Sequence, residues 1–111
     1  MIVEELMKEA GFEILNLGND VLKEVTKPYC CDLLSIAMSK LPAGAAWVTV
    51  MGNMNTLAVA TLTEASCVIL AEGIKLDGPA QAKAQSEGVT VLGTPLPIFE
   101  ATLKIHQLLH A

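Results

Sequence analysis

The chain of 111 residues has a formal net charge of −5, because twelve acidic residues outweigh seven lysines and there is no arginine. Scattered lysines and a sequence pI near 4.8 form no basic stripe, so nucleic-acid binding is not expected. Apolar residues make up 52% of the chain, which excludes a disordered acidic chain. The length predicts a single domain over residues 1–111.

The first third of the chain predicts one helix and two strands. Residues 2–10 place apolar side chains three and four positions apart, which is typical of an amphipathic helix, and Gly11 ends it. Residues 12–17 predict a short strand that joins the sheet. A weaker strand is expected at residues 21–26, at an edge of the sheet, and Pro28 breaks it.

A second helix is expected from Asp32 to Leu41. Asp32 is interpreted as its amino-terminal cap, because an aspartate side chain can accept hydrogen bonds from the first turn. Ser35 lies in that first turn and is interpreted as structural. A serine nucleophile needs a base, and the only histidines are close to the carboxyl terminus.

The rest of the chain alternates strand and helix. Strands are predicted at residues 47–51, 67–71 and 89–92, each followed by a helix, at residues 53–62, 78–87 and 98–109. Strands that alternate with helices of this length are joined by right-handed crossovers. The pattern therefore predicts an α/β protein, a three-layer α/β/α fold on a mainly parallel sheet of four to five strands.

Glycine and small polar residues recur where the predicted parallel strands end. Ligands collect beyond the carboxyl ends of strands in such sheets, where glycine lets backbone approach and a helix amino end offers N–H donors. The alternative is structural, since tight turns need glycine and asparagine caps helices. The candidate ligand-binding residues are Gly52, Asn53, Met54, Asn55, Glu72, Gly73, Gly93 and Thr94.

Known catalytic and cofactor motifs are absent from the sequence. There is no phosphate-binding P-loop, dinucleotide fingerprint or nucleophile elbow, so no catalytic residue and no cofactor is expected. His106 and His110 have a spacing that suits a metal, but their place at the end of the last helix favours exposed histidines without a metal.

The cysteines and the amino terminus predict a cytoplasmic protein. Three cysteines form no disulfide framework and are interpreted as free thiols in a reducing compartment. The chain starts with acids where a signal peptide carries positive charge, and no apolar run is long enough to span a membrane.

Several strings of sequence resemble a DRTGG domain standing alone, over nearly the whole chain. They are Cys31-Asp32-Leu33-Leu34-Ser35, Trp47-Val48-Thr49-Val50, Asn55-Thr56-Leu57-Ala58-Val59-Ala60, Val68-Ile69-Leu70-Ala71-Glu72-Gly73 and Leu92-Gly93-Thr94. That family is similar to the N-terminal domain of HPr kinase/phosphorylase. The resemblance implies the fold of that domain and a role in dimerisation and regulation, not catalysis.

One departure from the family concerns its namesake Asp-Arg-Thr-Gly-Gly string, which is absent. The turn Gly52-Asn53-Met54-Asn55-Thr56 stands in the comparable place, and its neutral side chains replace the charged pair. A ligand role that needs that pair is therefore not implied for this turn.

These observations predict a non-catalytic regulatory or interaction domain that acts as a homodimer. A domain this small cannot hide so much apolar surface, and two-fold pairing is the commonest way to cover the surplus. Candidates for the dimer face are residues 21–26, Tyr29-Cys30-Cys31 and the helix around Leu57–Leu62. The alternative is a sensor of a small molecule, such as an adenine nucleotide, at the carboxyl ends of the strands.

Overall fold

Five strands form the central sheet of the computed structural model, which describes residues 1–111. They are β1 (Glu13–Asn16), β2 (Lys27–Cys30), β3 (Ala45–Thr49), β4 (Cys67–Leu70) and β5 (Val91–Gly93). Their order across the sheet is β1-β5-β4-β3-β2. Strands β2 to β5 are parallel and β1 runs antiparallel to β5, so the predicted mainly parallel sheet is confirmed.

Helices cover both faces of this sheet. They are α1 (Val3–Ala10), α2 (Leu34–Lys40), α3 (Met54–Leu62), α4 (Gly78–Glu87) and α5 (Ile98–Leu109). Because β2 to β5 follow one another in one direction, their right-handed crossovers place α2, α3 and α4 on the same face. Helices α1 and α5 cover the other face, and a separate buried cluster lies on each side. The predicted three-layer α/β/α fold is confirmed.

The prediction of the first edge strand was wrong. Residues 21–26 form no strand and make only an isolated bridge between Glu24 and Ile2. Strand β2 instead begins at Lys27 and contains Pro28, the residue expected to break it. Proline lacks an N–H group, and an edge strand tolerates this because one side of it needs no donor.

Strands β3 and β4 are buried along their whole length, as expected for strands covered on both faces. Trp47 is the largest fully buried side chain, and its indole Nε1–H donates to the carbonyl of Cys31 at 3.0 Å. Asn53 caps α3, since its side-chain oxygen accepts from the N–H of Thr56 at 3.1 Å. None of the helices is both long enough and apolar enough to cross a membrane.

Candidate functional site

The carboxyl ends of the four parallel strands meet at one edge of the sheet, which we call the carboxyl edge. The chain leaves β4 toward α4 on one face and leaves β5 toward α5 on the opposite face. Such a change of face opens a crevice between the two strands, where open α/β sheets bind ligands. Four of the predicted residues lie at the ends of these two strands: Gly93 is the last residue of β5 and Thr94 follows it, and Glu72 and Gly73 come shortly after β4.

The chain's own backbone closes most of that crevice. The N–H of Glu72 donates to the carbonyl of Leu96 at 2.9 Å, and the N–H of Gly73 donates to that of Thr94 at 3.0 Å. Glu72 has a φ of 58°, in the left-handed region that non-glycine residues seldom adopt. These main-chain donors are used inside the protein, so a ligand here would have to bind beside the two loops.

An open cleft does lie beside them, where the carboxyl end of β5 meets the amino end of β1, and we call it the carboxyl-edge cleft. Its volume is about 320 Å³, and it is lined by Glu13, Gly73, Lys75, Gly93, Thr94 and Pro95. Three of the eight predicted ligand-binding residues line it. Lys75 Nζ lies 2.6 Å from the Oε2 of Glu13, and both side chains are more than half exposed.

Sequence reasoning did not place Glu13, Lys75 or Pro95 in the site. Glu13 is opposite Gly93 in the antiparallel pair, so it reaches the carboxyl edge from the amino end of its own strand. A parallel β1 would have put Glu13 at the other end of the sheet. Predicting Glu13 as a site residue would therefore have required the direction of β1, and local sequence patterns do not give the direction of a strand.

The turn after β3 lies outside the carboxyl-edge cleft, and the structural alternative explains its first two residues. A Cβ at Gly52 would lie 2.5 Å from the carbonyl oxygen of Lys75, so the loop before α4 requires glycine there. The side-chain oxygen of Asn53 already accepts the capping hydrogen bond from the N–H of Thr56 at the start of α3. Met54 and Asn55 are exposed in the first turn of α3, and no cavity is formed around them.

The interpretation of Asp32 as a helix cap was wrong. Helix α2 starts at Leu34, its cap position is Leu33, and no side chain caps it. The Oδ1 of Asp32 instead accepts from Thr49 Oγ1 at 2.6 Å and from the N–H of Val50 at 2.9 Å. Both donors lie at the end of β3, so Asp32 holds the loop after β2 against β3 by these two hydrogen bonds.

Ser35 has no capping contact either. It is exposed, and its carbonyl accepts from the hydroxyl of Ser39 at 3.2 Å in the next turn. Its side chain has no role in the hydrogen bonding of the site.

The thiols and imidazoles lie apart from the carboxyl-edge cleft. Cys67 is fully buried, and this burial raises the pKa of its thiol to about 12. Cys30 is exposed and Cys31 half-buried. The rings of His106 and His110 are 4.1 Å apart at the exposed end of α5, and no three metal-ligating side chains gather anywhere in the chain.

Comparison with known proteins gives a structural match only. No protein-family model and no curated protein matches the sequence. Among solved structures, the chain is similar to the CBS and DRTGG domains of the regulatory region of Clostridium perfringens pyrophosphatase, complexed with its activator diadenosine tetraphosphate. The TM-score is 0.75 at 15% identity, and the match covers 96% of this chain and 46% of that one. The chain thus spans less than half of that structure, and its fold is similar to that of a DRTGG-containing regulatory region.

Proposed function

We propose that this chain is a non-catalytic regulatory domain that acts as a homodimer. The observation that carries the proposal is a set of exposed apolar side chains on α2, its cap residue and α5, which we call the β2-side surface. It consists of Leu33 (58% exposed), Ile36 (40%), Met38 (46%), Phe99 (68%) and Leu103 (38%). Helix α2 connects β2 to β3, and α5 packs on the same two strands from the other face. The five side chains therefore flank the β2 edge, those of the α2 segment on one face of the sheet and those of α5 on the other.

Dimerisation through these helices is favoured over pairing of two β2 edges. Pro28 cannot donate a hydrogen bond to a further strand, and its presence in the four residues of β2 protects that edge. Helix faces remain as the way to cover the exposed leucine and phenylalanine side chains. A two-fold contact presents the same patch from both copies, so apolar surface is buried against apolar surface.

The helix around Leu57–Leu62, which the sequence suggested as part of the dimer face, is mostly buried inside the chain. Leu57, Val59 and Ala60 are buried in the chain's own core, so they are not available to a second copy. Leu62 of that helix and Leu22 of residues 21–26 are exposed, but they do not belong to the β2-side surface. Of the candidates that the sequence suggested for the dimer face, we therefore retain Tyr29-Cys30-Cys31, at the end of the edge strand between α2 and α5.

A non-catalytic role agrees with the charged groups of the carboxyl-edge cleft. Its ammonium and carboxylate, on Lys75 and Glu13, are paired with each other and exposed to water. An exposed ion pair of this kind lacks the dry, fixed surroundings in which enzymes stabilise developing charge. The similar solved structure is also a regulatory region.

Light scattering after size exclusion at micromolar concentration tests the homodimer. We expect a mass near twice the 11.7 kDa of one chain. The double variant Leu33→Ser/Phe99→Ser should shift to one chain, whereas the control Ile14→Ser, which changes an exposed residue of β1 on the opposite sheet edge, should not. A monomeric wild type, or a dimer indifferent to both variants, overturns the proposal.

The second candidate is a sensor of a small molecule that binds in the carboxyl-edge cleft. The observation that favours it is that Gly73 and Gly93, which have no side chains, line a cleft beside the crevice between β4 and β5. The similar regulatory region is complexed with diadenosine tetraphosphate, so adenine nucleotides are the first ligands to try. Lys75 is the one cation of this cleft and faces Glu13, so phosphate groups would compete with that carboxylate.

A thermal-shift titration tests this second candidate. Diadenosine tetraphosphate, ATP and AMP, each with and without magnesium, should raise the melting temperature in a saturable manner, because a ligand that binds only the folded state stabilises it. Lys75→Gln should weaken the effect, whereas Lys40→Gln, on α2, should not. No shift with any nucleotide rejects nucleotide sensing and leaves the homodimer unaffected.

A further inference from the structure

Two histidine side chains lie against each other at the end of α5. His106 and His110 are four positions apart, a spacing that makes side chains neighbours on one face of a helix. Their ring centroids are 4.1 Å apart, and the ring planes are tilted by 33°. Both residues are exposed. Neither lines the carboxyl-edge cleft or belongs to the β2-side surface.

The spacing alone favours exposed histidines without a metal, but the structure adds a second observation. The Nδ1 of His110 lies 2.8 Å from the main-chain carbonyl oxygen of His106. A carbonyl oxygen only accepts hydrogen bonds, so Nδ1 of His110 carries the proton and donates it. In a neutral imidazole the other nitrogen, Nε2, then keeps its lone pair.

This hydrogen bond is the one that metal-binding histidines commonly make. In such histidines one ring nitrogen binds the metal, and the other donates to a carbonyl or carboxylate that fixes the tautomer and the orientation of the ring. The carbonyl of His106 performs this role for the His110 ring. Nε2 of His110 is therefore prepared to act as a metal ligand before any metal binds.

The main chain brings the second imidazole within reach of the same ion. Helix α5 ends at Leu109, and the N–H of His110 still donates to the carbonyl of His106 at 3.1 Å. The helical turn between the two histidines is thus complete. The His106 ring is exposed, so it can rotate about its side-chain bonds until one of its nitrogens faces the same ion as Nε2 of His110.

The charges around the pair favour a cation. The carbonyl end of a helix carries a partial negative charge, and His106 is the only basic residue in the last turn of α5. None of the four ion pairs of the chain includes a histidine, so neither ring is already held by a carboxylate. The net charge of −5 also attracts cations to the chain.

We propose that His106 and His110 bind a divalent cation that prefers imidazole nitrogen, namely Ni²⁺, Cu²⁺ or Zn²⁺. The ligands are Nε2 of His110 and one nitrogen of His106, and water fills the other positions, because no third metal-ligating side chain joins the pair. The ion bridges the last turn of α5 and stabilises the folded chain. The site lies within one chain and does not depend on the proposed homodimer.

Titration of the full chain with Ni²⁺ and with Zn²⁺ tests the proposal. Calorimetry should find one ion per chain, and the melting temperature should rise with the metal concentration. Mg²⁺ prefers oxygen ligands and should do neither. In NMR spectra, paramagnetic Ni²⁺ should first broaden the amide signals of residues 103–110.

Variants of α5 test whether the spacing of the two rings matters. His106→Gln and His110→Gln should each weaken Ni²⁺ binding about ten-fold or more, since two linked ligands become one. The double variant Gln107→His/His110→Gln keeps two histidines but makes them adjacent, where their side chains do not face each other. It should bind as weakly as the single variants, whereas Gln107→Ala should bind like the wild type. Circular dichroism establishes that each variant is folded.

A measurement without metal tests the tautomer. Nitrogen chemical shifts of the imidazole rings at neutral pH should show His110 with its proton on Nδ1. A proton on Nε2 instead would remove the observation that carries the proposal and overturn it.

Three results of the titrations would also overturn the proposal. Equal Ni²⁺ binding by Gln107→His/His110→Gln would mean that histidines bind metal at any spacing. Broadening centred on Cys30 and Cys31 would place the ion on the thiols. One ion for every two chains, with a mass that doubles only when metal is added, would make the site a contact between copies. A wild type that is monomeric without metal would reject the homodimer and leave these readouts unaffected.

Discussion

The carboxylate of Asp32 accepts a hydrogen bond of 2.6 Å from the hydroxyl of Thr49, which is fully buried at the end of the neighbouring strand. Thr49 Oγ1 in turn accepts from the N–H of Met51 at 3.2 Å. This small network fixes the loop before α2 against the end of β3. It also explains why α2 begins without a side-chain cap, because the one nearby carboxylate is used across the sheet.

Asp32→Ala should therefore destabilise the fold although the residue is exposed. The substitution leaves the buried hydroxyl of Thr49 without its acceptor, which costs about 1–3 kcal/mol in the free energy of unfolding. Urea unfolding measures this cost. Thr49→Val supplies the control, because in that background Asp32→Ala has less to lose. Strictly additive effects of the two substitutions would contradict the hydrogen bond.

The three cysteines should react with iodoacetamide at pH 8 in the order of their exposure. Cys30 is exposed in the single chain and should be modified before the half-buried Cys31, and a homodimer that covers Tyr29-Cys30-Cys31 should slow both without changing their order relative to Cys67. Cys67 is buried with its pKa raised to about 12, so neither access nor thiolate is available in the folded state. Mass spectrometry of the peptides over time should find Cys67 modified only in urea. Its rapid modification in native buffer would contradict the buried position.

The raised pKa of Cys67 also predicts a loss of stability at alkaline pH. The folded pKa of about 12 lies above the ordinary thiol value of 9.0, so the unfolded state loses its proton first as the pH rises. The contribution of this thiol is complete below pH 9 and falls between pH 9 and about 12. Urea unfolding of the wild type and of Cys67→Ala over this range should show a smaller pH dependence for the variant. Parallel curves would contradict the prediction.

Apolar runs in the sequence predicted the fold. The errors in the strand assignment occurred where contacts with distant parts of the chain determine the local structure. The apolar runs around Val48, Ile69 and Leu92 predicted the buried parallel strands because both faces of each are covered. Pro28 suggested a break, yet it lies within a strand, because only position in the sheet reveals that no donor is needed there.

The candidate site was predicted less completely, for the same reason. Gly73, Gly93 and Thr94 follow from the rule for parallel strands, whereas Glu13 and Lys75 are 62 positions apart and meet only because β1 is antiparallel. Gly52 met the sequence criterion for close ligand approach, but the chain itself occupies that space. A glycine in the sequence indicates that something approaches the backbone closely, but it does not show whether that is a ligand or another part of the chain.

Two glycines at the carboxyl edge should respond differently to alanine. Gly52→Ala places a Cβ 2.5 Å from the backbone carbonyl of Lys75, so the loop before α4 must move, at a cost of about 1–3 kcal/mol.

Gly73 has a φ of 71°, and a Cβ added there would have no other atom within 4 Å. Gly73→Ala should therefore cost only about 1–2 kcal/mol, from the left-handed backbone. Asparagine tolerates that backbone better, so Gly73→Asn should recover part of the loss, whereas Gly52→Asn should recover none. Thermal and urea unfolding of the four variants measure these differences. Recovery by asparagine at both positions would contradict the steric origin at Gly52, and recovery at neither would contradict the conformational origin at Gly73.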